Sequence, residues 1–310
     1  MGFVPITLSA GQNPLTQFDG KIETHFLEPP AGTAFQIMQI YKPLPKGDKS
    51  GAYRGPPPHF HLHQTERFKV VKGRVGIEVN DKVTVLRPKD GVAICPAGNI
   101  HRFIIDVDPE HDQDGGEEDG EEEDDGEIVF MVNATDSGKD FVLDRIFLEN
   151  WYGVRVDSFK YGTKIDFIQQ CATFDGGDHY LPFPATLPEW VPMSWSVAIR
   201  TFLGFWVTVI IGRYIGGLLG YQPFYREYTT DWELAVAKMQ GTWFYRRNVQ
   251  TAYRAATSWK ELREMVPYSD EGAANMGLAD DAKVGHGTVV SKAANNDKAV
   301  VNGDEDKKKL

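Results

Sequence analysis

Residues 56–73, PPPHFHLHQTERFKVVKG, place His59, His61 and His63 at alternate positions and follow them with Glu66. In an extended segment alternate side chains share a face, so these imidazoles can converge on one ion unless the chain bulges. Two imidazoles, a carboxylate brought round by a bend and a further imidazole from another strand make a transition-metal site. A suitable distant donor lies one hairpin later, where CPAGNIHRF sets His101 just past a Pro-x-Gly turn. Three imidazoles and one carboxylate suit Fe(II), Mn(II), Ni(II), Cu(II) or Zn(II), and donor type alone does not choose among them. The competing reading of the same residues is a surface cluster of histidines beside an empty binding pocket.

The elements that must position these donors are short and β-like in the first half. KIETHFLE and AFQIMQIYKPL are separated by the turn signal PPAG, and FKVV, VGIEV and VTVL are broken at Gly73 and at Asn80-Asp81. VAICP and HRFIID continue the series, and IVFMVNA resumes it after an acidic stretch. Beyond residue 138 the period becomes helical, in FVLDRIFLENWYGVRV, KIDFIQQCATF, DWELAVAKMQGTWFYRRNV and SWKELREMV. The expected organisation is a β barrel over 1–150, a helical extension over 151–270 that includes an apolar segment at 195–222, and a disordered tail over 271–310.

The formal charge of the 310-residue chain is −11, but 13 acids and no Lys or Arg fall between Asp108 and Glu127. Removing those 13 negative charges from −11 leaves about +2, so the rest is nearly neutral and carries no basic patch for nucleic acid. The acidic run at about 108–127 reads as a disordered insertion between two strands, since it has nothing to bury. Two cysteines far apart, Cys95 and Cys171, suit a reducing compartment rather than a disulfide scaffold. The N-terminus lacks a basic region followed by an apolar run, and Ile6 stands where myristoylation requires Ser or Thr. A cytoplasmic location is therefore expected.

His59-x-His61, four residues, Glu66, six residues and Gly73 resembles the first motif of the cupin superfamily without a gap. Asp90, five residues, Pro96-x-Gly98, two residues and His101 resembles most of the second. Two departures stand out: the opening glycine has moved to Gly91, behind Asp90, and the closing asparagine is Ile105, which is expected to make the pocket rim less polar. The resemblance covers roughly residues 20–150. It implies a jelly-roll barrel with one divalent transition metal held by His59, His61, Glu66 and His101. Counting back from Glu66 in that motif leaves His63 as the spare.

The chain is also similar to cupin oxidoreductases found among fungal biosynthetic enzymes, a single barrel followed by an apolar helical extension. That resemblance implies metal-dependent oxidation of a small polyketide-like or aromatic metabolite. A metal with open positions serves equally for non-redox isomerisation, cyclisation or decarboxylation, and some cupins only bind their ligand. Cupins also resemble one another in pairing barrels edge to edge, which implies a homodimer. Other residues beside the candidate ligands are Tyr53, Phe68, Arg102 and Phe103, all readable as plain barrel core. His179 is a lone loop histidine, Cys95 reads as packing, and Asn133-Ala-Thr135 reads as an accidental glycosylation pattern.

The apolar segment leaves membrane contact open. Thr201 to Gly220 has the length of a bilayer core. Its large aliphatic and aromatic residues favour insertion by about 3–6 kcal/mol, opposed by roughly 2.5–3.5 kcal/mol for Arg213. The readings are a span, a helix packed on the barrel or in a dimer with Trp195, Phe202, Phe205 and Trp206 buried, or an interfacial helix with Arg200 and Arg213 snorkelling. The C-terminal KKKL is similar to a dilysine retrieval signal and points to the cytosolic face of the endoplasmic reticulum.

Overall fold

In the computed structural model, which describes residues 3–43, 55–107, 126–162, 164–185, 188 and 190–248, the alternating apolar runs of the first half become nine antiparallel strands. Three come before the histidine segment: β1 Leu15–Gln17, β2 Ile22–Leu27 and β3 Thr33–Tyr41. After it come β4 Glu66–Lys72, β5 Val75–Val79, β6 Lys82–Leu86, β7 Ala93–Cys95, β8 His101–Ile104 and β9 Ile128–Thr135. They form a six-stranded sheet, β1-β2-β3-β9-β4-β7, and a three-stranded sheet, β6-β5-β8, the two-sheet jelly roll expected from the sequence. Asn80 and Asp81 both take positive φ, the mirror-image turn whose twist matches the flanking strands, and so join β5 to β6 as a tight hairpin.

Strand periodicity decides what faces inward. On β3 the buried residues Phe35, Ile37 and Tyr41 alternate with partly exposed neighbours, and buried Gln39 shares their face. On β4 the same alternation turns Glu66, Phe68 and Val70 inward and Arg67 and Lys69 outward. β9 binds β3 on one side and β4 on the other, so these inward faces meet in one cavity.

The helical half closes that cavity. α1 (Arg145–Tyr161) starts at Asp144, whose carboxylate accepts the Phe147 amide, and ends at Gly162 in the left-handed conformation that glycine adopts without strain. Its Phe147, Leu148, Trp151 and Tyr152 recur at helical spacing and pack into the same hydrophobic core as Phe68 and Phe130 of the barrel. Fully burying each such side chain stabilises the fold by about 1.5–3 kcal/mol. The division expected at residue 150 thus falls inside α1, and one core runs through both halves. α2 (Phe167–Gly176) packs behind α1, and α3 (Met193–Thr208) runs on through a π-helical stretch, Val209–Gly216, into a last turn, α4 (Gly217–Leu219). α5 (Trp232–Gln240) follows, and the described part ends in a short helical stretch over 243–248.

The long apolar helix meets the body through its smallest residues. A Cβ on Gly204 would sit 2.1 Å from the Leu181 carbonyl oxygen, and one on Gly212 would sit 2.5 Å from the Cys171 backbone. Both arginines of the segment turn toward protein. Arg213 makes a two-pronged pair with the buried carboxylate of Asp175 at 2.7 and 2.8 Å, and Arg200 lies 3.6 Å from Asp81 on the β5–β6 turn. This corrects the expectation of snorkelling arginines, and it removes Arg213 as a charge presented to lipid. Of the aromatics expected to be buried by a packed helix, Phe205 packs on Tyr180, whereas Trp195, Phe202 and Trp206 stay exposed. The acidic run over 108–125, Tyr53, SWKELREMV and the tail over 271–310 lie outside the described residues.

Candidate metal centre and pocket

His59, His61, Glu66 and His101 are all buried, and one donor atom from each lies within 4.8 Å of the others. His59 and His101 face one another across backbone bonds in both directions, at 2.9 and 2.7 Å. Glu66 opens β4, and its Oε2 lies 2.8 Å from His101 Nε2, 3.7 Å from His61 Nε2 and 3.9 Å from His59 Nε2.

The remaining ring nitrogens are all tied to backbone carbonyls. Nδ1 of His59 donates to Pro57 at 2.9 Å, that of His61 to Asp178 at 2.7 Å, and that of His101 to Asn99 at 2.9 Å. A carbonyl can only accept, so each Nδ1 carries a proton and Nε2 is the ring nitrogen turned to the centre, that of His101 within hydrogen-bond reach of the Glu66 carboxylate. His61 Nε2 is buried without a hydrogen-bond partner, an arrangement that an ion would satisfy. Burial, then the neighbouring imidazoles His101 and His61, holds His59 well below the usual histidine range, so it is neutral at physiological pH. Burial pushes Glu66 up, but the His101 and His61 rings that face it, His101 within hydrogen-bond distance, overcome this and keep the carboxyl well below its ordinary value. For His61 burial acts downward, but the Glu66 carboxylate beside it outweighs this and holds the imidazole above its ordinary value, so a cation binding there displaces protons. The residues present fit such an ion.

His63 stays out of the cluster and is exposed. The three histidines do not share a strand face, because only His59 and Phe60 make bridge pairs and the chain bends after them. The physical cause is Asp178, whose carboxylate accepts the backbone amides of Leu62 at 3.1 Å and His63 at 2.8 Å and so fixes the bend. Gln64, next along, locks the segment to the start of the helical half through Thr135 and Leu143.

Asp178 belongs to the stretch FDGGDHYLPF after α2, which also carries His179. A side chain on Gly177 would strike the Phe147 ring at 2.0 Å, so the turn fits there only as glycine. It lays His179 face to face on His59, with ring centroids 4.0 Å apart and planes 16° from parallel. Phe174 and Phe147 hold the imidazole from the other side, and its Nε2 is buried without a partner. Burial, and then the neighbouring imidazoles His59, His61 and His101, keep His179 well below its usual range. The lone loop histidine is thus part of the site. The only signal in the sequence was a Gly-Gly-Asp turn bracketing it, which marks a bend and not what the bend faces.

A pocket of about 580 Å³, including its open mouth, extends from the cluster. Its walls come from Phe35, Ile37 and Tyr41 of β3, Phe68 of β4 and Phe103 of β8, closed over by Phe147 and Trp151 of α1. Polar groups in this wall are Gln39, Tyr152, Arg155, His179 and the exposed edges of His59 and Glu66. Gln39 donates to the Tyr152 hydroxyl at 2.6 Å, and burial pushes that phenol up to about 12. Of the other sequence candidates, Phe68 and Phe103 line the pocket, whereas Arg102 pairs with Glu78 at 2.7 Å. Cys95 lies opposite Glu66 on the paired strand, and burial raises its thiol to about 12, which suits packing and not nucleophilic attack. Ile105, expected on the pocket rim, is buried in the core instead. The displaced glycine is accommodated because Gly91 takes the positive φ while Asp90 accepts the Arg87 amide at 2.7 Å.

No family model matches the chain. It is 94% identical over 310 residues, the full length of both chains, to "Oxidoreductase OpS7" of Beauveria bassiana. It is 42% identical over 273 residues to "Epoxidase atD" of Aspergillus terreus, covering 85% of this chain and 78% of that one. It is 44% identical over 274 residues to "Probable oxidoreductase patJ" of Aspergillus clavatus, covering 85% and 77%. Among solved structures, the cupin domain of Schizosaccharomyces pombe Cnp3 aligns with 47% of this chain and 74% of its own, at 16% identity and a TM-score of 0.24, too distant to carry weight. These relatives, matched over more than two thirds of their length, show that the chain belongs to their family of fungal oxidoreductases, and its own double-sheet barrel and donor set are of the cupin type.

Proposed function

We propose that the chain is a metal-dependent oxidoreductase acting on a small, flat, oxygenated metabolite of aromatic or polyketide type. The observation that carries this reading is the buried set of three imidazole Nε2 atoms and one carboxylate, the rings fixed by backbone carbonyls, at the end of a ring-lined pocket. A redox-active divalent metal held by His59, His61, Glu66 and His101 would supply electron transfer and activation of an oxidant.

The remaining roles fall to the chain's own side chains. Phe35, Phe68, Phe103 and Trp151 exclude water and offer faces for a planar ring. Gln39 and the neutral Tyr152 phenol stand ready to bond a substrate hydroxyl or carbonyl. Arg155, whose guanidinium rests over the Phe18 ring at 5.2 Å, offers a cation for a phenolate or carboxylate edge. His179 Nε2 supplies one more polar contact beside the cluster. Oxygen insertion of the kind named for the A. terreus epoxidase is the first reaction to try on this reading, supported by that relative's name alone.

The test is elemental analysis of purified protein with and without His59→Ala, followed by oxygen uptake with candidate phenolic substrates. Near-stoichiometric iron, copper or manganese that disappears in the variant is the expected result. Zinc with oxygen-independent turnover would move the reading to Lewis-acid chemistry, and no retained metal after reconstitution would overturn it.

A further inference from the structure

The helix Met193–Leu219 is 27 residues long with a mean hydropathy of 1.7 over its most apolar window, and only a third of that window is buried. Its two faces differ in kind. Gly204, Thr208, Gly212 and Gly216 recur every fourth residue and are buried against the body. On the opposite face Trp195 is 68% exposed, Phe202 62% and Trp206 42%, continued by Ile199, Ile210 and Leu218. Every exposed residue from Pro192 to Gly220 is uncharged, because Arg200 and Arg213 are both turned to carboxylates of the body. Trp190 adds to one end, and Trp243 stands exposed in the segment whose Phe244 packs on Tyr214, with Arg246 and Arg247 exposed beyond buried Tyr245.

We propose that this face docks the protein on an anionic phospholipid surface, with the helix lying in the plane of the interface. The glycine stripe, which holds one side of the helix within van der Waals reach of α2 and of Leu181, favours a helix lying against the body over a span. Lying flat, the helix presents a stripe about 40 Å long and one helix wide. Fluid lipid accommodates a narrow apolar ridge without a matching groove, whereas a second copy needs roughly 800 Å² of complementary surface on each partner. Tryptophans lie at the depth where their rings are favoured, and Arg246 and Arg247 complement acidic headgroups. The face also borders the pocket's support, since Phe205 packs on Tyr180 at 5.0 Å and Tyr180 pairs through its backbone with Phe60, between two cluster histidines.

The test uses the full chain and co-sedimentation with phosphatidylcholine vesicles, with and without phosphatidylserine. Binding to both, tighter with phosphatidylserine, is expected, with a loss of about tenfold or more when Trp195→Glu, Phe202→Glu and Trp206→Glu are combined. Arg246→Glu with Arg247→Glu is expected to abolish only the preference for phosphatidylserine. Should the triple variant misfold, tryptophan quenching of the unaltered protein by brominated lipid decides, and absence of quenching overturns the proposal. Wild-type protein that stays in the supernatant at both compositions overturns it too. A dimer in analytical ultracentrifugation that the triple variant dissociates, without vesicle binding, assigns the face to a second copy instead. Bound metal is measured in the same samples, so a docking failure is separable from a failure of the metal site.

Discussion

The barrel and the helical half contribute to one site in opposite ways. The barrel supplies every candidate ligand, and it does so from segments close in sequence: His59 to Glu66, then His101. The helical half supplies no ligand among the described residues, yet it holds His61 through the Asp178 carbonyl, lays His179 on His59 and closes the pocket with α1. A barrel alone would leave Trp151, Tyr152 and Arg155 out of the pocket and the bend at Leu62 unsupported. The helical half is therefore part of the site, not an appendage to it.

That comparison can be broken at several points. The largest effect is expected from His101→Ala on the barrel side, with loss of bound metal and of activity by more than about a hundredfold, read by elemental analysis and turnover. On the helical side, Arg213→Ala strands the buried Asp175 carboxylate, which Tyr245 also approaches at 3.0 Å. A destabilisation of about 3 kcal/mol is expected, seen as a drop in Tm with the candidate ligand cluster unaltered. If Arg213→Ala instead leaves Tm unchanged, the helix is not anchored by this pair.

Subtler changes sharpen the division of labour. Asp178→Ala removes the acceptor for the Leu62 and His63 amides, and metal affinity is expected to fall about 10–100-fold although no ligand is lost. His179→Phe keeps the stack on His59 but removes the free Nε2, so metal content should hold while turnover falls by roughly tenfold, a hydrogen-bond-sized effect. The smallest expected effect is chemical: with thiols buried and raised to about 12, neither Cys95 nor Cys171 should react with iodoacetamide in native protein at neutral pH. Rapid labelling of either, followed by mass spectrometry, would show that the core opens.

The ligand set was legible because each cupin motif is a short run whose spacing is preserved by local geometry. Glu66 faces inward by strand alternation, and His101 follows a turn whose residues announce it. The spare status of His63 came from motif spacing, but its cause, the Asp178 carboxylate, lies 115 residues further along the chain. His179 looked like an isolated loop residue for the same reason: its partners Phe147, Phe174 and His59 are brought to it only by packing. The apolar segment was legible as apolar, but not which side its arginines take, since Asp175 and Asp81 are defined only by the fold.

By itself the sequence determined the candidate donor residues through motif spacing, the β runs that carry them and the apolar character of Met193–Leu219, all properties of periodicity and short-range spacing. Tertiary structure alone decided the roof of the pocket, the stacking of His179, the inward turn of Arg213 and the charge-free outer face of its helix. These depend on contacts between segments far apart in sequence, and such contacts follow from how one shared core packs rather than from any local pattern.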